Sequence, residues 1–253
     1  MINYNPKEWI NFIFRFHKAD SFYKLWKLML SVAIFSGIIA YLELNYVKLS
    51  ETSYIKNVGM MHSLLGFVIS MLLVFRTNTS YDRWWEGRRL LGQLVNVSRN
   101  FAIRLNALNL SKEDREFFKY AIPKYAFALK EHLREKQYFG KNSILIEIDA
   151  GKHIPNQVAV SITNKLFDLS KAGKITGEQL ITLSNDSTQF TDVCGACERI
   201  KNTPIPYSYS AFIKKFIFVY VITLPFGWVF SLGYFVVGIV PFILYVLASL
   251  ELI

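Results

Sequence analysis

The stretch richest in groups able to do chemistry is Phe75-Arg-Thr-Asn-Thr-Ser-Tyr-Asp-Arg-Trp-Trp-Glu-Gly-Arg88, where arginines, carboxylates and tryptophans crowd together directly after an apolar run. Charges at this density need partners. One arrangement is an interfacial belt, with tryptophans at the lipid headgroups and arginines on the cytoplasmic side. The other is a packed junction between a membrane part and a cytoplasmic part. No catalytic constellation accompanies it: the sequence contains no GxSxG elbow, no phosphate-cradling glycine loop and no clear carboxylate pair beside a nucleophile. Cys194 and Cys197 form a lone CxxC, for which zinc would need two further ligands at workable spacing. The four histidines, His17, His62, His132 and His153, are scattered and make no HExxH pattern. The cysteines therefore read as small residues packing a cytoplasmic helix. The expectation is a protein that is not an enzyme and has no assigned metal ligand or cofactor.

Stepping outward from that segment, the composition asks for a membrane. Of 253 residues, 52% are hydrophobic and 16% aromatic, more than a soluble core of this size absorbs. The run Leu28–Leu42 is uncharged but shorter than the roughly 20 residues of a perpendicular crossing. Tyr23, Trp26 and Lys27 before it and Tyr41, Glu43 and Tyr46 after it can extend it into both interfaces, predicting a first spanning helix near 24–46. Val58–Phe75 predicts a second, closed by Arg76. Its small residues Gly59, Ser63, Gly66 and Ser70 share one side, suited to close contact with another helix. Phe216–Leu250 is long enough for a helical hairpin, with Ser231-Leu-Gly233 and Gly238 as turn positions and Pro225 and Pro241 as kink positions.

Basic residues set the orientation. Lys7, Arg15, Lys18, Lys24 and Lys27 flank the first span, and Arg76, Arg83, Arg88, Arg89, Arg99 and Arg104 follow the second. The positive-inside rule then places both termini and the middle segment in the cytoplasm, and the protein in the inner (plasma) membrane as a multi-pass chain. No cleavable signal peptide is expected, because charged residues precede any sustained apolar run. The net charge of +10 sits beside apolar runs, and without a nucleic-acid-binding motif it argues for lipid contact and against a nucleic-acid partner.

The polar middle reads as helical. Ser111-Lys-Glu-Asp114 resembles a capping arrangement that opens a helix through Phe117, Phe118 and Tyr125, with Pro123 placed to bend it. A further helix is predicted from near Asn156 to Gly173, and Thr176-Gly-Glu-Gln179 predicts a capping box opening another that runs toward Ile200. Ser143–Ala150 reads as extended or irregular. The predicted organisation is an N-terminal segment 1–23, two membrane helices in 24–83, a cytoplasmic helical domain 84–212, and two more membrane helices in 213–253.

The Arg83-Trp84-Trp85 stretch at the end of the second membrane helix resembles the signature of the bestrophins. Leu90-Leu-Gly-Gln-Leu-Val-Asn-Val-Ser-Arg99 and the distant Gly195-Ala-Cys-Glu-Arg-Ile-Lys-Asn-Thr-Pro-Ile-Pro206 resemble its bacterial branch. The resemblance runs over essentially the whole chain. It implies an all-α homopentameric ion channel whose second membrane helices line an axial pore. In that frame Phe67, Met71 and Phe75, at i, i+4 and i+8, match the family's hydrophobic neck. Glu178 falls where many members place an isoleucine at a cytoplasmic aperture. Arg76, Asn78, Tyr81, Asp82, Arg83, Trp84, Trp85 and Glu86 form the signature junction. Read without the family, the neck residues are also ordinary packing positions of a membrane helix, and Glu178 an ordinary first-turn carboxylate facing the helix dipole. The resemblance implies chloride conduction, while a ring of Glu178 carboxylates would favour cations such as sodium. The family's calcium site draws on a carboxylate-rich segment after the last span, and no calcium ligand is assigned here.

Two other functions would leave different marks. A secondary transporter usually shows inverted repeats, and none is visible. A membrane-anchored scaffold or enzyme would carry its working residues in 84–212, where no catalytic cluster stands out. The orientation gives a direct expectation: with Ser53→Cys as reporter, an impermeant thiol reagent labels intact cells. Protection of that cysteine would reverse the topology.

Overall fold

The computed structural model describes residues 21–47, 58–135, 146, 148–149 and 151–252. The N-terminal segment up to Asp20, the loop holding Ser53 and most of Ser143–Ala150 lie outside the described residues. The described chain is built from α-helices: α1 Ser21–Leu42, continued by a π-helical turn Glu43–Val47; α2 Val58–Asn106; α3 Lys112–Leu133; α4 Ile154–Lys171; α5 Gly177–Asn202; α6 Tyr207–Leu232; and α7 Val236–Glu251. They divide into two compact units, one made of residues 1–81 with 205–253, the other of 82–204.

In the first unit α1, α6 and α7 pack on one another, and the N-terminal half of α2 joins their core through Ile69 and Leu73, alongside Val32, Ala40, Ile213, Ile217, Val221, Leu224, Val236, Val240 and Leu244. The predicted hairpin is there, and its turn is at the first of the two expected places. Gly233 adopts φ +54°, a left-handed conformation that disfavours a side chain, and ends α6. Gly238 lies inside α7, as does Pro241, while Pro225 lies inside α6. Much of the remaining apolar surface points outward, including Leu30, Ile34 and Ile38 on α1 and Phe242 on α7. Among the described residues three stretches are long and apolar enough to cross a membrane: Ser21–Tyr46, Gly59–Asn106 and Gly177–Glu251. At 1.5 Å per residue α1 alone is about 33 Å long, the thickness of the hydrocarbon layer.

The second helix is longer than its apolar run. Its apolar run ends at Arg76, yet the helix does not stop there and carries on without a break to Asn106. Hydropathy changes at Arg76, but no proline or paired glycine interrupts the backbone pattern, so the helical hydrogen bonds have no reason to end.

The second unit is a helical domain with its own core of Phe101, Phe118, Tyr125, Leu129, Ile162, Leu166 and Phe190. Phe101 meets Phe190 and Phe118 edge-on at ring separations of 5.8 and 5.9 Å. The Tyr125 hydroxyl is wholly buried and donates to the Phe190 carbonyl at 2.7 Å, so the ring is packed without stranding its polar end. Local signals set the helix ends. Ser111 Oγ accepts from the Asp114 amide, and Thr176 and Gln179 complete a reciprocal capping box. Gly173, at φ +67°, closes α4 in a Schellman turn, with its own amide donating to Ser170 O and that of Lys174 to Leu169 O, both at 2.9 Å.

That turn delivers Lys174 to Asp114. The buried Asp114 carboxylate accepts from Lys174 Nζ at 2.6 Å, Lys165 Nζ at 2.7 Å and Ser111 Oγ at 2.6 Å. Burial alone would raise its pKa, but the two ammonium groups and the hydroxyl outweigh that and hold it well below the usual carboxylate range. The group contributes stability fully above the unfolded-state value of about 3.9, and the contribution fades as pH falls below that toward the depressed folded value. Asp114→Asn should therefore lower unfolding stability by about 1–3 kcal/mol at neutral pH and flatten the acid limb of a melting-temperature profile. An unchanged acid limb would remove Asp114 as its source.

Candidate functional site

The candidate site is α2 and the residues that hold it. In the first unit the buried stripe of α2 is His62, Ile69 and Leu73. The His62 ring packs edge-on against Tyr220 at 5.6 Å and shares a 2.9 Å hydrogen bond with Thr223 Oγ1, so a polar group deep in an apolar unit has a partner on α6. Gly66 lies on the same side, where an added Cβ would sit 2.9 Å from the Tyr220 hydroxyl. The small-residue side expected to pack is only partly used within the chain. Ser63 and Ser70 are exposed, and their hydroxyls donate back to Gly59 O and Gly66 O. Packing follows the apolar stripe because Ile69 and Leu73 bury more surface than two serines can.

Phe67, Met71 and Phe75 point away from this stripe. At about 100° per residue, Met71 stands about 180–200° from His62, Ile69 and Leu73, with Phe67 and Phe75 on either side of it. All three are more than half exposed. The chain thus leaves a line of large apolar side chains unpacked on the far side of α2 from its neighbours.

Arg76 closes the apolar stretch, and its partners explain how a guanidinium is kept there. Its Nε donates to the Glu251 carbonyl at 2.8 Å, its Nη1 to Ser210 Oγ at 2.9 Å, and its Nη2 lies 3.0 Å from the Glu251 carboxylate. Three helices, α2, α6 and α7, are joined by one side chain. Tyr209 adds a bond of the same kind, its hydroxyl donating to Leu72 O at 3.1 Å. Asn78 and Tyr81 follow on an exposed face.

The rest of the signature belongs to the second unit. Arg83 donates from Nη2 to Ile200 O at 2.7 Å and from Nη1 to Thr203 O, placing a cation on the last carbonyls of α5 where the helix dipole favours it. Glu86 pairs with Arg199 at 2.6 Å. Asp82, Trp84 and Trp85 are exposed, the two indoles 6.2 Å apart. Glu178 is also exposed, in the first turn of α5 behind the Thr176 N-cap. Its own backbone amide and the Thr176 hydroxyl hold its pKa below the usual carboxylate range, so it is ionised at neutral pH. One turn further along α5, Ile181 is 71% exposed, a large apolar side chain without cover that sequence reading passed over.

Sequence reading also missed a constellation. His132, His153 and Glu198, far apart along the chain, converge with both imidazole Nε2 atoms 2.7 Å from Glu198 Oε1. Cys194 and Cys197 are buried free thiols on α5, and burial pushes Cys194 up to about 11.

A family model described as Bacterial/Fungal Bestrophin protein matches residues 1–253. The chain belongs to the bacterial/fungal bestrophin family. Among curated bestrophin relatives, a voltage-dependent anion channel-forming protein of Nostoc sp. is 34% identical over 201 residues, covering 74% of this chain and 66% of that protein. Another of the same description from Synechocystis sp. is 32% identical over 192 residues, covering 70% and 62%. The chain thus spans slightly under two thirds of the length of these relatives. In fold, a variant of a bacterial bestrophin homolog from Klebsiella pneumoniae superposes with a TM-score of 0.80 at 23% identity, covering 93% of this chain and 87% of that one. With its apolar helices, this bestrophin is an integral membrane protein, and its relatives are described as channel-forming proteins and not as enzymes.

Proposed function

We propose that this bestrophin is an anion channel, formed by five copies of the chain around an axis lined by α2. The observation that carries this reading is the line Phe67, Met71 and Phe75, large and apolar, exposed, and turned away from every helix the chain packs against α2. In a fivefold ring such a line becomes three stacked apolar belts, a constriction that dewets when narrow and conducts when widened. The relatives described as voltage-dependent anion channel-forming proteins support anions as the cargo, chloride being the simplest. The net charge of +10, with Arg88, Arg89 and Arg99 exposed on α2, supports the same sign. Four membrane crossings, α1, the apolar half of α2, α6 and α7, put both termini and residues 82–204 in the cytoplasm, in the inner membrane.

A second, cytoplasmic constriction falls on the start of α5. Glu178 there would draw cations, but its carboxylate is engaged by its own helix end, whereas Ile181 is apolar and uncovered. We assign the aperture to Ile181, with Glu178 beside it.

Purified protein in planar bilayers under asymmetric salt tests the reading: the reversal potential should sit on the chloride side, and a cation-selective current would overturn it. Replacing Phe67, Met71 and Phe75 together by alanine should raise flux severalfold while the detergent-solubilised assembly keeps its size. Unchanged flux at unchanged size would remove the neck. Ile181→Ala should likewise raise conductance, with Glu178→Gln leaving the reversal potential near its original value. A large shift in Glu178→Gln would return that carboxylate to the ion path.

A further inference from the structure

We propose that His132, His153 and Glu198 form a binding site for a divalent transition-metal ion of the zinc class. It lies wholly in the second unit and is independent of the channel reading. His132 comes from the last turn of α3, His153 from the residue that caps α4, and Glu198 from α5. Both Nε2 atoms lie 2.7 Å from the same carboxylate oxygen, the rings are 4.3 Å apart, and all three ligand atoms lie within 4.8 Å of one another. Each side chain is about one-third exposed, so an ion can reach the site from solvent and keep water on its open side.

The ligand set selects the ion. Two imidazoles and one carboxylate suit zinc, nickel or copper, whereas calcium and magnesium ask for oxygen throughout. Around a tetrahedral ion with bonds of about 2.0–2.1 Å, ligand atoms stand about 3.3 Å apart. The nitrogen–oxygen separations here need to open by a fraction of an ångström, within reach of side-chain rotation alone. Without an ion the three groups close on one another through the ring protons. The neighbouring ammonium of Lys201 does not oppose a cation, because it is paired with Glu135 at 3.0 Å.

The proton on His153 is already fixed. Its Nδ1 accepts from the Asn156 amide at 3.2 Å as the N-cap of α4, which leaves the proton on Nε2, directed at Glu198. Metal at Nε2 moves that proton to Nδ1, and α4 exchanges a side-chain cap for a metal tether. An ion held this way ties α3, α4 and α5 together and stabilises the second unit, because the three ligands meet only when it is folded.

The full chain in detergent, stripped with EDTA and desalted, is titrated with zinc chloride by calorimetry and with cobalt chloride by visible absorption. The expected result is one zinc per chain, d–d bands in the cobalt form, a raised melting temperature with zinc, and no response to calcium or magnesium chloride. His153→Asn keeps an N-cap and so folds normally in zinc-free buffer, yet should bind zinc at least tenfold more weakly, as should Glu198→Gln. Zinc uptake by either variant equal to that of the original chain would overturn the proposal. So would uptake that survives in His153→Asn but disappears when Cys194 and Cys197 are replaced by serine.

Discussion

A charged group at the end of an apolar, membrane-length helical stretch survives only if its hydrogen-bonding capacity is met inside the protein, and Arg76 is where this chain meets that demand. Taking a guanidinium out of water costs several kcal/mol, and good geometry with a carboxylate and additional acceptors offsets most of it. Arg76 has all of these, two of them from Glu251 and one from Ser210. The consequence is positional as well as energetic. The end of the apolar half of α2 is fixed against the first turn of α6 and the last turn of α7, so the rotation of α2 about its own axis is set, and with it the direction in which Phe67, Met71 and Phe75 project.

The same logic is written differently in the second unit. There Asp114 gathers two lysines and a serine, Arg83 takes the closing carbonyls of α5, and Glu86 holds Arg199. Apart from the local Ser111 contact, each joins elements distant in sequence, and each lies at a helix end, where unsatisfied amides and carbonyls need partners. The aromatic core of Phe101, Tyr125 and Phe190 supplies the burial, and these polar contacts fix which helices meet where.

What the amino-acid sequence disclosed, and what it did not, divides along the range of the signal. The Thr176–Gln179 capping box, the Ser111 cap, the left-handed Gly173 and the Gly233 turn are governed by residues within a few positions, and each is legible from its neighbours. The π-helical continuation of α1 and the persistence of α2 past Arg76 are less so, since hydropathy reports the solvent around a helix and not the helix itself. The three-way meeting of His132, His153 and Glu198 was invisible, because no spacing rule links the last turn of one helix, the N-cap of a second and a carboxylate near the end of a third until the helices are packed. Phe67, Met71 and Phe75 were legible as a line but not as an exposed one. Exposure required knowing that Ile69 and Leu73 take the opposite side.

The two cysteines carry a practical consequence. Both are buried in the α5 core, and Cys194 is a thiol whose ionisation lies near 11, so neither presents a thiolate at neutral pH. Modifying reagents that attack thiolates will pass them by. The unaltered chain is thereby a quiet chemical background, in which a single introduced surface thiol would carry a spin label, a fluorophore or a cross-linker without competition from native sulfur.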